Sequence, residues 1–160
     1  MALFIGEFEQ VIDSKHRLAI SAALREQINP AEDGESFILI VGPDRHLWLY
    51  PHQYYRRLVA STVRRSALPD RRTRKIHLLT AMAREVKPDS QGRIVLPEKS
   101  MQRGLISERV TLVGIFDHIE VWPTDEWEKH VEQALPTYGD ELYEVSDSMN
   151  VNVEGGGGIV

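Results

Sequence analysis

Asp13-Ser14-Lys15-His16-Arg17-Leu18-Ala19-Ile20 returns 76 residues later as Asp89-Ser90-Gln91-Gly92-Arg93-Ile94-Val95-Leu96. Working outward, Val41-Gly42 recurs as Val113-Gly114, His46 as His118, Tyr50-Pro51 as Trp122-Pro123 and Tyr55 as Trp127, now 72 residues apart. A four-residue difference in one connecting loop accounts for the change in spacing. The chain therefore reads as a tandem duplication. A unit of this length is too long for a solenoid repeat and too short for an ordinary domain. Two interlocked half-domains sharing one core are expected.

Period-two alternation flanks both turns. Phe8, Gln10 and Ile12 alternate with Glu7, Glu9 and Val11 on one side, and Leu18 and Ile20 with Arg17 and Ala19 on the other. The second copy repeats this, with Glu85-Val86-Lys87 leading in and Ile94 and Leu96 opposite in face to Arg93 and Val95. Each is a strand, turn, strand. Ser21 can then cap a helix over 22–28, while Pro97 suits the first turn of a helix closed by Gly104. Apolar strands follow at 37–41, 47–50, 110–115 and 118–122, turned by Gly42-Pro43-Asp44-Arg45 and by Phe116-Asp117. Helices after Pro51 and Pro123 end the halves, and Asp70 can cap another that runs to about Thr80. After Pro136 the periodicity fails, and Glu154-Gly155-Gly156-Gly157-Gly158 reads as a flexible ending.

Composition bounds the function. The 160 residues are 42% apolar, enough for one compact core, and contain no cysteine, which excludes disulfides, thiolate metal sites and a cysteine nucleophile. The first residues lack a basic region and a long apolar run, and no 18-residue apolar stretch occurs, so a cytoplasmic protein without a membrane span is expected. The net charge of −5 equals the five acidic residues of 140–160, a segment without Lys or Arg, so residues 1–139 are neutral. Charge within them is uneven. Arg56, Arg57, Arg64, Arg65, Arg71, Arg72, Arg74 and Lys75 face Asp70 alone, so a basic face is compatible with an acidic chain.

An aspartate opening a four-residue turn accepts backbone N–H bonds, and Gly92 can take positive φ, which explains Asp13 and Asp89 without any function. His16 stands where the second copy has Gly92, so the first turn is expected to be strained or different in shape. Arg17 and Arg93 have two readings. They form ion pairs fixing each hairpin, or they join Lys15 in presenting cationic groups to phosphates and base edges, where a planar guanidinium binds two acceptors at once.

These two Asp-x-x-x-Arg phrases, with Trp48-Leu49-Tyr50-Pro51, Leu112-Val113-Gly114 and Glu120-Val121-Trp122-Pro123 leading to Trp127, resemble the MraZ family of bacterial transcriptional regulators, in the swapped-hairpin AbrB-like superfamily. The resemblance covers residues 3–131. It implies an α/β (α+β) chain, a double swapped-hairpin AbrB-like β-barrel from two pseudo-symmetric repeats with short flanking helices. Its divisions would be a first repeat at 1–59, a basic helical connector at 60–82, a second repeat at 83–138 and an acidic Gly-rich flexible tail at 139–160. It further implies a ring-shaped homo-oligomer on double-stranded DNA, binding tandem promoter repeats of division and cell-wall genes at the nucleoid. The DNA-facing residues carried over are Asp13, Arg17, Asp89 and Arg93, to which the charge reading adds Lys15; the aspartates shape the turns and the cations make contact. His16 and Ser21 depart from the family's usual Gly and Pro.

Other classes fit less well. A carboxylate dyad of Asp13 and Asp89 needs contact in a closed cleft, yet each has a basic group four residues on that keeps it ionised. No Gly-x-Ser-x-Gly, His-Glu-x-x-His or phosphate-cradling glycine loop occurs, so no enzyme and no cofactor is expected. The six histidines show no metal-ligand spacing. The serious rival is a ring-forming scaffold whose charged turns bind a protein or an acidic ligand, separable from a DNA binder by salt dependence.

Overall fold

A computed structural model describes residues 1–61, 71, 74 and 77–155, with backbone alone for 151–155. Two units emerge, Met1–Thr124 and Asp125–Val160. In the first, β1 (Glu7–Val11) and β2 (Arg17–Ala19) precede the one-turn helices α1 (Ala22–Arg25) and α2 (Pro30–Asp33). The hairpin β3 (Phe37–Val41) and β4 (Leu47–Pro51) leads to α3 (His52–Ala60), and α4 (His77–Met82) leads to β5 (Arg84–Val86). Then come β6 (Arg93–Val95), α5 (Glu98–Arg103) and the hairpin β7 (Arg109–Ile115) and β8 (His118–Pro123). Of the basic run, Arg56, Arg57, Arg71 and Arg74 are exposed, while Arg64, Arg65, Arg72 and Lys75 lie outside the described residues.

The halves exchange strands. A six-stranded antiparallel sheet runs β1-β7-β8-β4-β3-β5, so β1 of the first half pairs with β7 of the second, and β5 of the second with β3 of the first. A two-stranded sheet joins β2 to β6. Two cross-strand pairs unite positions equivalent in the repeat: Leu18 with Ile94, and Trp48 with Glu120. A pseudo-twofold relation of the halves passes through both. The inward side chains of these strands, with Phe4, Leu24 and Leu96, fill one core, and Leu18, Ile94, Leu47, Leu49, Leu112 and Ile119 are fully buried. Each such side chain contributes about 1.5–3 kcal/mol, so neither half has a core without the other.

The sequence repeat and the structural repeat differ by one residue in the hairpins. Val41 pairs with Leu47, leaving a three-residue tip at 43–45, closed by the Gly42 N–H donating to the His46 carbonyl at 2.8 Å, with Arg45 at φ 65°. Ile115 pairs with His118, leaving a two-residue tip with Phe116 at φ 55°. A one-residue slip would turn every side chain to the opposite face, so the tip absorbs it. Core residues Phe37 and Leu39 thereby correspond to Val110 and Leu112, not to positions 72 residues on. Gly42 and Gly114 are consequently not counterparts. A Cβ at Gly42 would overlap the Trp48 indole, whereas one at Gly114 would meet the Ile5 nitrogen at 2.6 Å, where the N-terminal segment pairs Phe4 with Phe116.

Three helix expectations are corrected. The helix after Ser21 ends at Arg25, and the Ser21 hydroxyl, instead of capping it, accepts from Gln10 Nε2 at 3.1 Å. Gly104 is right-handed, and its missing side chain admits Leu47, while Leu105 takes the left-handed turn at φ 53°. The second unit holds α6, which spans Thr124–Gly155, so residues 139–155 are helical where no structure was expected. Pro136 removes one donor from a 32-residue helix without ending it.

The sheet's other face carries a polar aromatic layer from β4 and β8. His118, 8% exposed in its side chain, lies between Asp117 Oδ1 at 2.7 Å and Glu120 Oε1 at 3.2 Å. Trp122 Nε1 donates to Glu120 Oε2 at 2.7 Å, and the Tyr54 hydroxyl to Asp117 Oδ2 at 2.7 Å. Trp48 stacks on His118 with centroids 4.1 Å apart, and His46 on Trp122 at 3.8 Å. Burial alone would push His118 down and both carboxyls up; the mutual hydrogen bonds outweigh it, leaving His118 raised and Asp117 and Glu120 lowered. The recurrence of His46 and His118 is thus structural, tying first-half residues to second-half carboxylates.

Candidate nucleic-acid interface

The two repeated turns have the same hydrogen bonds. Asp13 Oδ1 accepts from the backbone N–H groups of Lys15 and Arg17, both at 2.9 Å, and Oδ2 from Arg17 Nε at 2.6 Å. Asp89 Oδ1 accepts from Gln91 at 2.9 Å and Arg93 at 3.0 Å, and Oδ2 from Arg93 Nε at 3.0 Å. The backbone N–H of Arg17 holds the Asp13 carboxyl below its usual range, and that of Arg93 does the same for Asp89, so both are ionised at neutral pH. The tips close through His16 N–H to the Asp13 carbonyl at 3.0 Å and Gly92 N–H to that of Asp89 at 2.9 Å.

His16 does not change the shape of its turn. It adopts φ 59°, beside φ 76° for Gly92, and carries the steric cost of a left-handed conformation instead. His16→Gly is therefore expected to stabilise the fold by about 0.5–1 kcal/mol, since removing that penalty outweighs part of glycine's added chain entropy. Thermal unfolding should show it as a gain of about 1–4 °C. An unchanged or lower midpoint would mean that the imidazole makes compensating contacts.

The ladder between β2 and β6 sets where the turns point. Arg17 lies opposite Val95, and Arg93 opposite Ala19. Cross-strand partners share a face and successive residues alternate, so Arg17, Ala19, Arg93 and Val95 form the outer face over the buried Leu18 and Ile94. Two residue steps and one strand spacing put the Arg17 and Arg93 Cα atoms about 8 Å apart. Ile20 N–H donates to the Gly92 carbonyl at 2.9 Å and Leu96 N–H to that of His16 at 2.8 Å, so each tip is clasped to the other half. Both arginines spend Nε on their aspartates. Their terminal Nη atoms, and the exposed Lys15 ammonium, have no hydrogen-bond or ion-pair partner among the described residues.

Sequence reasoning missed Arg25. Its Nε donates to the Ile20 carbonyl at 2.9 Å, and a Cβ at Gly92 would overlap its guanidinium, so it covers the second turn from the first half. The repeat gives no sign of it, because Met101 stands at the equivalent position.

The family model for the MraZ protein matches residues 3–76 and 79–138. The chain belongs to the MraZ family. Relatives named "Transcriptional regulator MraZ" include that of Herpetosiphon aurantiacus, 35% identical over 144 residues, covering 87% of this chain and 91% of the relative. That of Heliobacterium modesticaldum is 32% identical over 140 residues, covering 85% and 92%, and that of Clostridium tetani 31% over 129 residues, covering 80% and 87%. The MraZ model matches both turns and stops at residue 138, within α6.

Proposed function

We propose that this MraZ family member is a sequence-specific DNA-binding transcriptional regulator whose paired turns are its reading surface. The observation that carries the proposal is the placement of Arg17 and Arg93 on one outward face, with each Nε on its aspartate and no protein acceptor on the Nη atoms among the described residues. Each Asp–Arg bond fixes the guanidinium by Nε, and a fork held this way presents its remaining N–H groups to two acceptors, as phosphates and guanine edges require. The ion-pair and nucleic-acid readings of these arginines are therefore one mechanism. Asp13 and Asp89 set the turn, Arg17, Arg93 and Lys15 contact DNA, and Arg25 supports the second tip.

The exchange of strands between halves supports a double swapped-hairpin, AbrB-like barrel. One such surface offers few contacts, so affinity would come from a ring of copies engaging tandem promoter repeats of division and cell-wall genes, each copy raising the effective concentration of the next. No helix among the described residues is long and apolar enough to cross a membrane, which accords with work at the nucleoid.

Fragments of the organism's own DNA retained by the purified protein at two ionic strengths, and then sequenced, test this. Enrichment of repeat-bearing promoter fragments is expected, with affinity falling steeply with salt. Retention without sequence enrichment, or indifference to salt, would favour the scaffold reading.

A further inference from the structure

The second unit of the chain carries a feature that DNA reading leaves unused. Along α6, Val131, Leu135, Tyr138, Leu142, Val145 and Met149 recur at alternating intervals of four and three, the spacing of coiled-coil d and a positions. The last five are at least half exposed, at 60, 53, 50, 50 and 62% respectively. Indeed every residue from 135 to 150 is exposed. Such a segment has little reason to be helical alone: it is one to two turns beyond the shortest length that holds together in water, and contains Pro136 and Gly139, the poorest helix formers. Burial of the apolar seam supplies what it lacks.

We propose that residues 131–149 pair in parallel with the same segment of other copies of this chain. Charge decides the direction in which the copies pair. The five acidic residues of this stretch, Glu132, Asp140, Glu141, Glu144 and Asp147, all avoid the seam. In a parallel arrangement the flanking positions that face one another are Ala134 with Gly139 and Glu141 with Ser146, so no like charges meet. In the fully overlapped antiparallel arrangement Glu141 would meet its own copy. Leucine at two a positions and β-branched valine at two d positions, the reverse of the two-stranded preference, favours more than two helices. The inference is independent of how the turns are used.

The absence of cysteine allows an unambiguous test on the full chain. Leu135→Cys and Met149→Cys place a thiol at each end of the seam, and Tyr143→Cys places one outside it, at a site 75% exposed. Under copper–phenanthroline and air, both seam variants are expected to form disulfide dimers at least about tenfold faster than the outer one, because parallel pairing holds identical residues side by side at high effective concentration. Antiparallel pairing would set the two Met149 positions about 27 Å apart and leave that variant uncoupled. Equal rates at all three sites, or no coupling at either seam site, overturns the proposal. DNA binding by the uncoupled proteins is read separately, so failure here leaves the regulator reading intact.

Discussion

If the paired turns read DNA as proposed, the double variant Arg17→Ala, Arg93→Ala is expected to lose DNA binding while its assembly state and its unfolding midpoint stay close to those of the parent. Each arginine is about one-third exposed in its side chain, at 32% and 30%, so its ion pair with Asp13 or Asp89 adds little to folding. The turns would hold, because their shape comes from the backbone N–H groups on each carboxylate. A bidentate guanidinium contact is worth about 1–3 kcal/mol, so each single variant should weaken binding about 5- to 150-fold and the double variant by more than either. Two further readouts separate the roles. An arginine on a phosphate lowers the slope of log affinity against log salt by about 1 when removed, whereas one on a base edge relaxes sequence preference at a fixed position. Electrophoretic shifts across a salt series and on base-substituted DNA, beside sedimentation of the free protein, give affinity, salt slope, base preference and assembly state. A smaller assembly state on loss of either arginine would show that the outer face of the β2–β6 ladder is a subunit contact and not a reading surface.

How far the sequence disclosed this arrangement depended on whether the signal was local. The paired turns were legible because each needs an aspartate, a left-handed fourth position and period-two flanks within ten residues, and all three are visible in the chain. The side-by-side placement of Arg17 and Arg93 followed from the duplication, since a repeat that interlocks must bring equivalent positions to a common axis. The hairpin slip was not legible: Val41-Gly42 and Val113-Gly114 match as letters, while a three-residue tip in one half and a two-residue tip in the other shift the strands. Arg25 was invisible because its target, Gly92, belongs to the other half. Residues 139–155 were read as unstructured because Pro136, Gly139 and acidic content each argue locally against a helix, and the seam spacing that competes with them spans nearly three heptads. For His118 the sequence offered only its recurrence with His46; its role appears when the fold places Asp117 and Glu120 on its two nitrogens.

His118→Ala is expected to cause the largest loss of stability from a single change in the polar layer. Removing the imidazole leaves Glu120, 14% exposed in its side chain, with its charge buried and one partner fewer, and takes away the ring that stacks on Trp48. Breaking a buried pair on one side costs about 3–5 kcal/mol, and because Asp117 is 30% exposed and keeps the Tyr54 hydroxyl the lower figure applies. A loss of about 3 kcal/mol lowers the unfolding midpoint by about 6–12 °C. The pH dependence gives a sharper test. His118 has a raised pKa in the fold, so its contribution is complete below the unfolded imidazole value of about 6.5 and is lost as pH rises through the folded value. Asp117 and Glu120 are lowered, so theirs is complete above the unfolded carboxyl values of about 4 and is lost as pH falls through the folded ones. The cluster is therefore most stabilising between about pH 4.5 and 6.5. Urea unfolding across pH 3–9 should show the parent losing stability on both sides of that window. In His118→Ala the alkaline limb should vanish, and the acid limb should flatten because the imidazole's bonds, which help to hold both carboxyls down, are gone. His118→Gln, which restores a hydrogen-bond donor without the charge, should recover part of the midpoint yet still lack the alkaline limb. Survival of that limb in either variant would mean that the alkaline loss comes from another group, with His118 neutral in its carboxylate clamp.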